Sequence, residues 1–155
     1  EKLFLMGGSY GGYMSLLLHG RHPEYFRAVV DICGVSNLFS FVKTVPDFWQ
    51  PMMEKWVGNR ERDYEKVKAD SPVTYLENMT QPMLIIQGAN DPRVVKEESD
   101  QVVDRLKAMG RNIEYLVLEN EGHGFSKREN KIKAYHKIFE FFESNRLYLA
   151  AQLEE

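Results

Sequence analysis

One cysteine, Cys33, stands in the whole chain, so no internal disulfide can form, and no Cys/His spacing suits a zinc site. The expectation is a protein without a resident metal or other cofactor, in a reduced compartment such as the cytoplasm. Excess charge of one sign is also missing. Twenty Lys and Arg stand against 23 Asp and Glu, a net charge of −3, which leaves no global attraction to nucleic acid or to an anionic membrane. The longest stretch without a charged side chain runs 18 residues, from Leu3 to Gly20, which is formally the length of a membrane span. Five of those residues are glycine, and Ser9, Tyr10, Tyr13, Ser15 and His19 add polarity, so the stretch reads as a buried strand, a glycine turn and a helix. No basic leader or small-residue cleavage site frames it as a signal peptide. Asn78-Met79-Thr80 fits a glycosylation sequon, a cheap match that nothing else supports. What is present, 43% hydrophobic and 28% charged residues over 155 positions, excludes disorder, collagen-like repeats and low complexity. The whole chain, 1–155, has the size of one domain, able to bury roughly 70% of the surface its unfolded form exposes.

Strands and helices alternate along the chain. Lys2 to Met6 (KLFLM) is a short apolar run that suits a strand buried on both faces, stopped by Gly7-Gly8. Tyr10 to Gly20 reads as a helix with Tyr13, Leu16, Leu17 and Gly20 on one side, closed by His22-Pro23. Phe26 to Cys33 is a second strand. From Gly34 to about Leu76 the pattern weakens, and aromatic residues crowd an irregular, partly helical insertion. Met83 to Gln87 is a third strand, Lys96 to Met109 an amphipathic helix closed by Gly110, and Asn112 to Leu118 a fourth strand. A last helix spans about Asn130 to Leu149, with Ile132, Tyr135, Phe139, Phe142 and Leu149 at helical spacing. The order implies an α/β fold: about four mostly parallel strands with helices on both faces.

Gly7-Gly8-Ser9-Tyr10-Gly11-Gly12 falls between a predicted strand and a predicted helix, the context in which G-x-S-x-G forms a nucleophile elbow. The serine backbone is strained there, so a Cβ at Gly7 or Gly11 is expected to crowd it. The backbone N–H of Tyr10, at the helix N-terminus, can face a developing oxyanion. The bland alternative is a glycine turn that only packs helix on sheet. A serine needs a base, and only four histidines exist. His19 and His22 flank a helix end, where surface or capping roles are the default, and His136 lies among polar neighbours. His123, between two glycines in a loop after a strand, is the candidate base. The acid should fall between serine and histidine in sequence. Asp91 follows the third strand, and its alternative role is an Asx turn before Pro92. Asp31, inside a strand, and Asp70, an N-cap before Ser71-Pro72, are its rivals.

GGSYGGYM, LIIQGANDPRV and ENEGHGF together resemble the catalytic domain of the prolyl oligopeptidase family of serine peptidases, nearest its acylaminoacyl-peptidase and dipeptidyl-peptidase-like branch. The resemblance covers nearly the whole chain. It implies an α/β-hydrolase fold, with Ser9 as nucleophile, Asp91 as acid and His123 as base. It also implies that Arg93 hydrogen-bonds a substrate carbonyl, although the residue alone suits a surface ion pair equally well. Phe39, Phe48, Trp49 and Trp56 are candidates for an apolar pocket, against the commoner role of packing a core.

The family's domain places about four strands before the elbow, and a β-propeller before those. The resemblance therefore implies that this chain is the C-terminal part of a catalytic domain, without the upstream half, its second oxyanion donor or the propeller. The first strand would then be an exposed apolar edge, through which the chain is expected to form homo-oligomers. The function expected is hydrolysis of peptide substrates through an acyl-enzyme. A carboxylesterase using the same triad, or an idle fragment that self-associates, are the other readings.

Overall fold

The run MLIIQG forms β3 (Met83–Gly88), and all six of its residues are buried. A strand buried on both faces needs a neighbour on each edge and a helix on each side. β2 (Phe26–Ile32) pairs with it in parallel on one edge and β4 (Ile113–Leu118) on the other, while β1 (Leu3–Gly8) pairs with β2. This computed structural model describes residues 3–153, with side chains described through residue 146. The sheet order β1-β2-β3-β4 follows the sequence, and every pairing is parallel, so all four C-terminal strand ends line one edge of the sheet.

Alternation along the strands sorts the core into two layers. Val29, Met83 and Ile85 pack against Leu16 of α1 (Tyr10–Arg21) and Val102, Val103 and Leu106 of α5 (Lys96–Ala108). Ala28, Val30, Leu84 and Ile86 pack on the opposite side against Ala134, Ile138 and Phe141 of α6 (Arg128–Leu153). Each fully buried aliphatic side chain of this kind contributes about 1.5–3 kcal/mol. The irregular segment between β2 and β3 folds into α2 (Leu38–Thr44), α3 (Gln50–Trp56) and α4 (Tyr64–Ala69), with small clusters of its own around Val67 and Met53. Among the described residues no helix is long and apolar enough to cross a membrane.

Two expectations about buried faces need correction. β1 is not buried on both faces: Leu3 is 65% and Met6 51% exposed, because β2 is its single partner among the described strands. Lys2 lies outside the described residues. On α6 the residues expected to face inward, Ile132, Tyr135 and Phe139, are exposed. The helix carries a second stripe, Ala134, Ile138 and Phe141, spaced four and three apart, and this stripe meets the sheet. Phe142 is half-buried against Phe4, with ring centroids 4.9 Å apart, and the Leu149 side chain lies outside the described part.

Close packing of α1 on the sheet depends on Gly7 and Gly12, and not on Gly11. A Cβ at Gly7 would stand 2.1 Å from the Gly11 carbonyl oxygen, and one at Gly12 would stand 2.3 Å from Asp31 Oδ1 and 2.8 Å from Gly34 Cα. At Gly11 a Cβ meets nothing within 4 Å among the described residues. Gly12→Ala is therefore expected to destabilise the chain by about 2–3 kcal/mol through overpacking. Gly11→Ala, at an open helical site, should be neutral or stabilising by up to about 1 kcal/mol. Urea denaturation of the two variants side by side checks this, and equal losses would contradict it.

Candidate active site

Ser9 is the single residue between the last residue of β1 and the first of α1, and it adopts φ 56°, ψ −115°. A non-glycine residue in that region costs about 1–3 kcal/mol and persists only where its surroundings hold it. Here its N–H donates to Ile32 O at 2.8 Å, and its carbonyl accepts from Tyr13 N at 3.0 Å. Tyr10 follows as the first helical residue, where no intrahelical carbonyl can accept its N–H.

Asp91 lies three residues beyond β3 and His123 five beyond β4, so parallel strands bring both loops to the edge where Ser9 stands. His123 Nδ1 is 2.7 Å from Asp91 Oδ2, and His123 Nε2 is 2.8 Å from Ser9 Oγ. A carboxylate only accepts, so the proton on Nδ1 points to Asp91, and Nε2 is left to accept from the Ser9 hydroxyl. Such a chain can carry a proton from Oγ to the imidazole while a buried carboxylate holds the ring. The Asx turn suggested for Asp91 forms as well: Oδ1 accepts from Arg93 N at 2.9 Å and Val94 N at 3.0 Å. One oxygen builds the loop and the other meets the histidine.

Two buried polar residues fix these loops, and sequence reasoning singled out neither. Gln87 donates to Val94 O at 3.1 Å and accepts from Ser99 Oγ at 2.8 Å, tying the Asp91 loop to α5. Its signal is a lone polar residue ending an apolar strand. Glu121 accepts from the Ser126 hydroxyl and N–H, Lys127 N and Asn130 Nδ2, closing the loop around His123 at the start of α6. Those hydrogen bonds, the Ser126 hydroxyl first, pull its carboxyl down to about 2. Its signal is an acid placed ahead of the polar residues that open a helix.

The rival acids go elsewhere. Asp31 is fully buried in β2, its Oδ1 accepting from Gly34 N at 2.9 Å and its Oδ2 without a partner among the described residues. Burial pushes it up to about 7, against the Gly34 hydrogen bond. Asp70 is no N-cap: it ends α4 and pairs with Arg21 at 3.1 Å and Lys66 at 3.2 Å. His22 caps the C-terminus of α1 and His136 is exposed beside Glu140, as their neighbours suggested. His19 differs from its expected surface role. It is fully buried, Nε2 accepts from Gln81 N at 3.2 Å, and burial, aided by Arg111, pushes it down to about 4.

A cavity of about 490 Å³ opens beside Ser9 and His123. Its apolar wall includes Tyr13, Leu38, Phe41, Trp49, Met53 and Trp56, with Lys66 and Asp70 as its charged members at the α4 end and Arg93 close to the Asp91 loop. Two of the four expected aromatics, Trp49 and Trp56, line it. Phe39 instead packs on Tyr64 at 5.1 Å, and Phe48 is 80% exposed, edge-on to Trp49. Buried Glu98 accepts from Ser36 N at 3.0 Å and Asn37 N at 2.9 Å, anchoring the start of the wall to α5. None of the ion pairs among the described residues includes Arg93.

The profile of the prolyl oligopeptidase family matches residues 1–146. The chain belongs to that family. Within it, the chain is 40% identical over 147 residues to dipeptidyl aminopeptidase BIII of Pseudoxanthomonas mexicana, covering 92% of this chain and 21% of that protein. It is 39% identical over 149 residues to dipeptidyl peptidase family member 6 of Caenorhabditis elegans, covering 92% and 20%. The chain thus spans about a fifth of the length of these curated relatives. A solved acylaminoacyl peptidase in complex with Z-Gly-Gly-Phe-chloromethyl ketone superposes with a TM-score of 0.82 at 26% identity, over 92% of this chain and 24% of that one. The parallel sheet between helical layers is accordingly the α/β-hydrolase fold of this peptidase family.

Proposed function

We propose that this chain carries the acyl-transfer site of a serine peptidase acting on short peptides with an apolar residue at the cleaved bond. The observation that carries the reading is the unbroken hydrogen-bond chain Asp91–His123–Ser9, with Ser9 held at positive φ in the turn between β1 and α1. Ser9 Oγ attacks the peptide carbonyl as its proton passes to His123 Nε2, and the Tyr10 N–H faces the oxyanion. Collapse breaks the C–N bond, and the imidazolium gives its proton to the leaving amine. Water then repeats the sequence on the Ser9 ester and releases the acid. Asp91 stays ionised throughout and stabilises the imidazolium.

The cavity beside Ser9 suits an apolar side chain on the acyl side of the bond, and the Phe-ended chloromethyl ketone held by the acylaminoacyl peptidase fits that reading. Arg93, which lines the same cavity, is the residue we assign to donate to a main-chain carbonyl one residue further from the bond. Peptide anilides with Phe, Leu or Glu at the acyl position test this directly, and Phe and Leu should exceed Glu in kcat/KM. Arg93→Ala is expected to raise KM for a blocked tripeptide anilide about 10-fold, the loss of one charge-assisted hydrogen bond. An ester of a single amino acid should barely respond. Equal effects on both substrates would point to an esterase instead.

A further inference from the structure

Cys33 takes no part in the chemistry above, yet the fold seats its side chain against the Asp91–His123 pair. Its Sγ, a carboxylate oxygen of Asp91 and a ring nitrogen of His123 all lie within 4.8 Å of one another. The sequence separations, 58 residues from Cys33 to Asp91 and 32 on to His123, belong to no recognisable metal motif, and only the tertiary fold brings the three together. Each of the three is anchored by hydrogen bonds to its backbone or its loop. Cys33 follows β2 with φ 45°, and its N–H donates to Ile86 O at 2.8 Å. Asp91 is held by two loop amides, and the His123 loop by Glu121.

We propose that Cys33, Asp91 and His123 form an inhibitory site for a zinc-class divalent cation. Thiolate, imidazole and carboxylate together are the donor set of a borderline-soft ion and not of magnesium or calcium. Two negative ligands balance the charge of the ion, and a fourth position stays open to water. Zinc bonds of about 2.0–2.3 Å place ligand atoms about 3.3–3.7 Å apart. The Asp91–His123 separation of 2.7 Å must therefore open slightly, and Cys33 must move inward by up to about 1 Å.

The nitrogen that faces Asp91 is Nδ1, so the cation binds there. Coordination uses the Nδ1 lone pair, and the single proton of the neutral imidazole moves to Nε2. The Cys33 thiol loses its proton to solvent. Nε2–H then points at Ser9 Oγ, where a proton acceptor is required, and the histidine can no longer take the serine proton. Binding is thus incompatible with reaction at Ser9, although two of the three ligands, Cys33 and Asp91, are not among the residues that line the substrate cavity. This consequence rests on the reading of His123 as base, whereas the metal site itself does not.

The test uses the metal-free chain titrated with Co²⁺ as a spectroscopic probe and with Zn²⁺ during fluorophosphonate labelling of Ser9, for wild type, Cys33→Ala and Cys33→Val. The expected result is one Co²⁺ per wild-type chain with a thiolate-to-metal absorption band in the near ultraviolet. Saturating Zn²⁺ should slow wild-type labelling at least 10-fold, and each Cys33 variant less than 2-fold relative to its own metal-free rate. Absence of the band in wild type, or equal slowing in the variants, overturns the proposal. The band decides the site whether or not Ser9 reacts, so failure of the peptidase reading is seen separately, as absent labelling without metal.

Discussion

Asp91→Asn is expected to lower peptide hydrolysis, and labelling of Ser9, by about 10⁴-fold while leaving the fold intact. The two halves of this prediction come from the two carboxylate oxygens. Oδ1 accepts from Arg93 N and Val94 N, and the amide oxygen of asparagine can do the same, so the loop should survive. Oδ2 stands 2.7 Å from His123 Nδ1, and there an amide NH₂ would donate where the carboxylate accepts. Nδ1 then becomes an acceptor and Nε2 carries the proton, the wrong tautomer for a base 2.8 Å from Ser9 Oγ. Measuring kcat beside the thermal midpoint separates chemistry from folding. A loss below 10-fold at unchanged stability would mean that the carboxylate does not set the ring.

Asp31→Asn is expected to stabilise the protein increasingly as pH rises, by about 3 kcal/mol more at pH 8 than at pH 5. Burial raises the folded-state value of Asp31 from 3.8 to about 7, so the folded protein holds a proton that the unfolded chain has already released. Its contribution to stability is fully present below pH 4 and is lost between about pH 4 and 7. His19 works in the opposite sense. Its folded value lies near 4 against an ordinary 6.5, so stability falls as pH drops from 6.5 towards 4. The two slopes nearly cancel in the wild type, and Asp31→Asn should uncover the rise with pH that His19 produces. Urea denaturation at pH 5, 6.5 and 8 checks this, and a variant-to-wild-type difference independent of pH would contradict it.

Much of this architecture is legible in the sequence, because its signals are local. Strand, glycine turn and helix around Ser9 are contiguous, and the loops of Asp91 and His123 each follow an apolar run that can only be a strand or a buried helix turn. Parallel pairing then brings the strand ends together. The features that escaped depend on which surface meets which. α6 bears two apolar stripes, and nothing in its own sequence says that Ala134, Ile138 and Phe141 face the sheet while Ile132, Tyr135 and Phe139 do not. The G-x-S-x-G motif singles out Gly11, but it is Gly12, one residue beyond the motif, that meets Asp31 and Gly34. Phe41 and Tyr13 reach the cavity while Phe39 and Phe48 do not, a choice made by the packing of α2 and α3. His19 looked like a helix-end residue and lies buried under the turn that leads into β3.

Each chemical step proposed for this site requires Ser9 to be an activated nucleophile. Intact mass after treatment of the purified chain with a fluorophosphonate, wild type beside Ser9→Ala, reads this in one experiment. One adduct on the wild type and none on Ser9→Ala is the predicted result. A wild-type chain that stays unmodified, or an adduct that persists in Ser9→Ala, would contradict it.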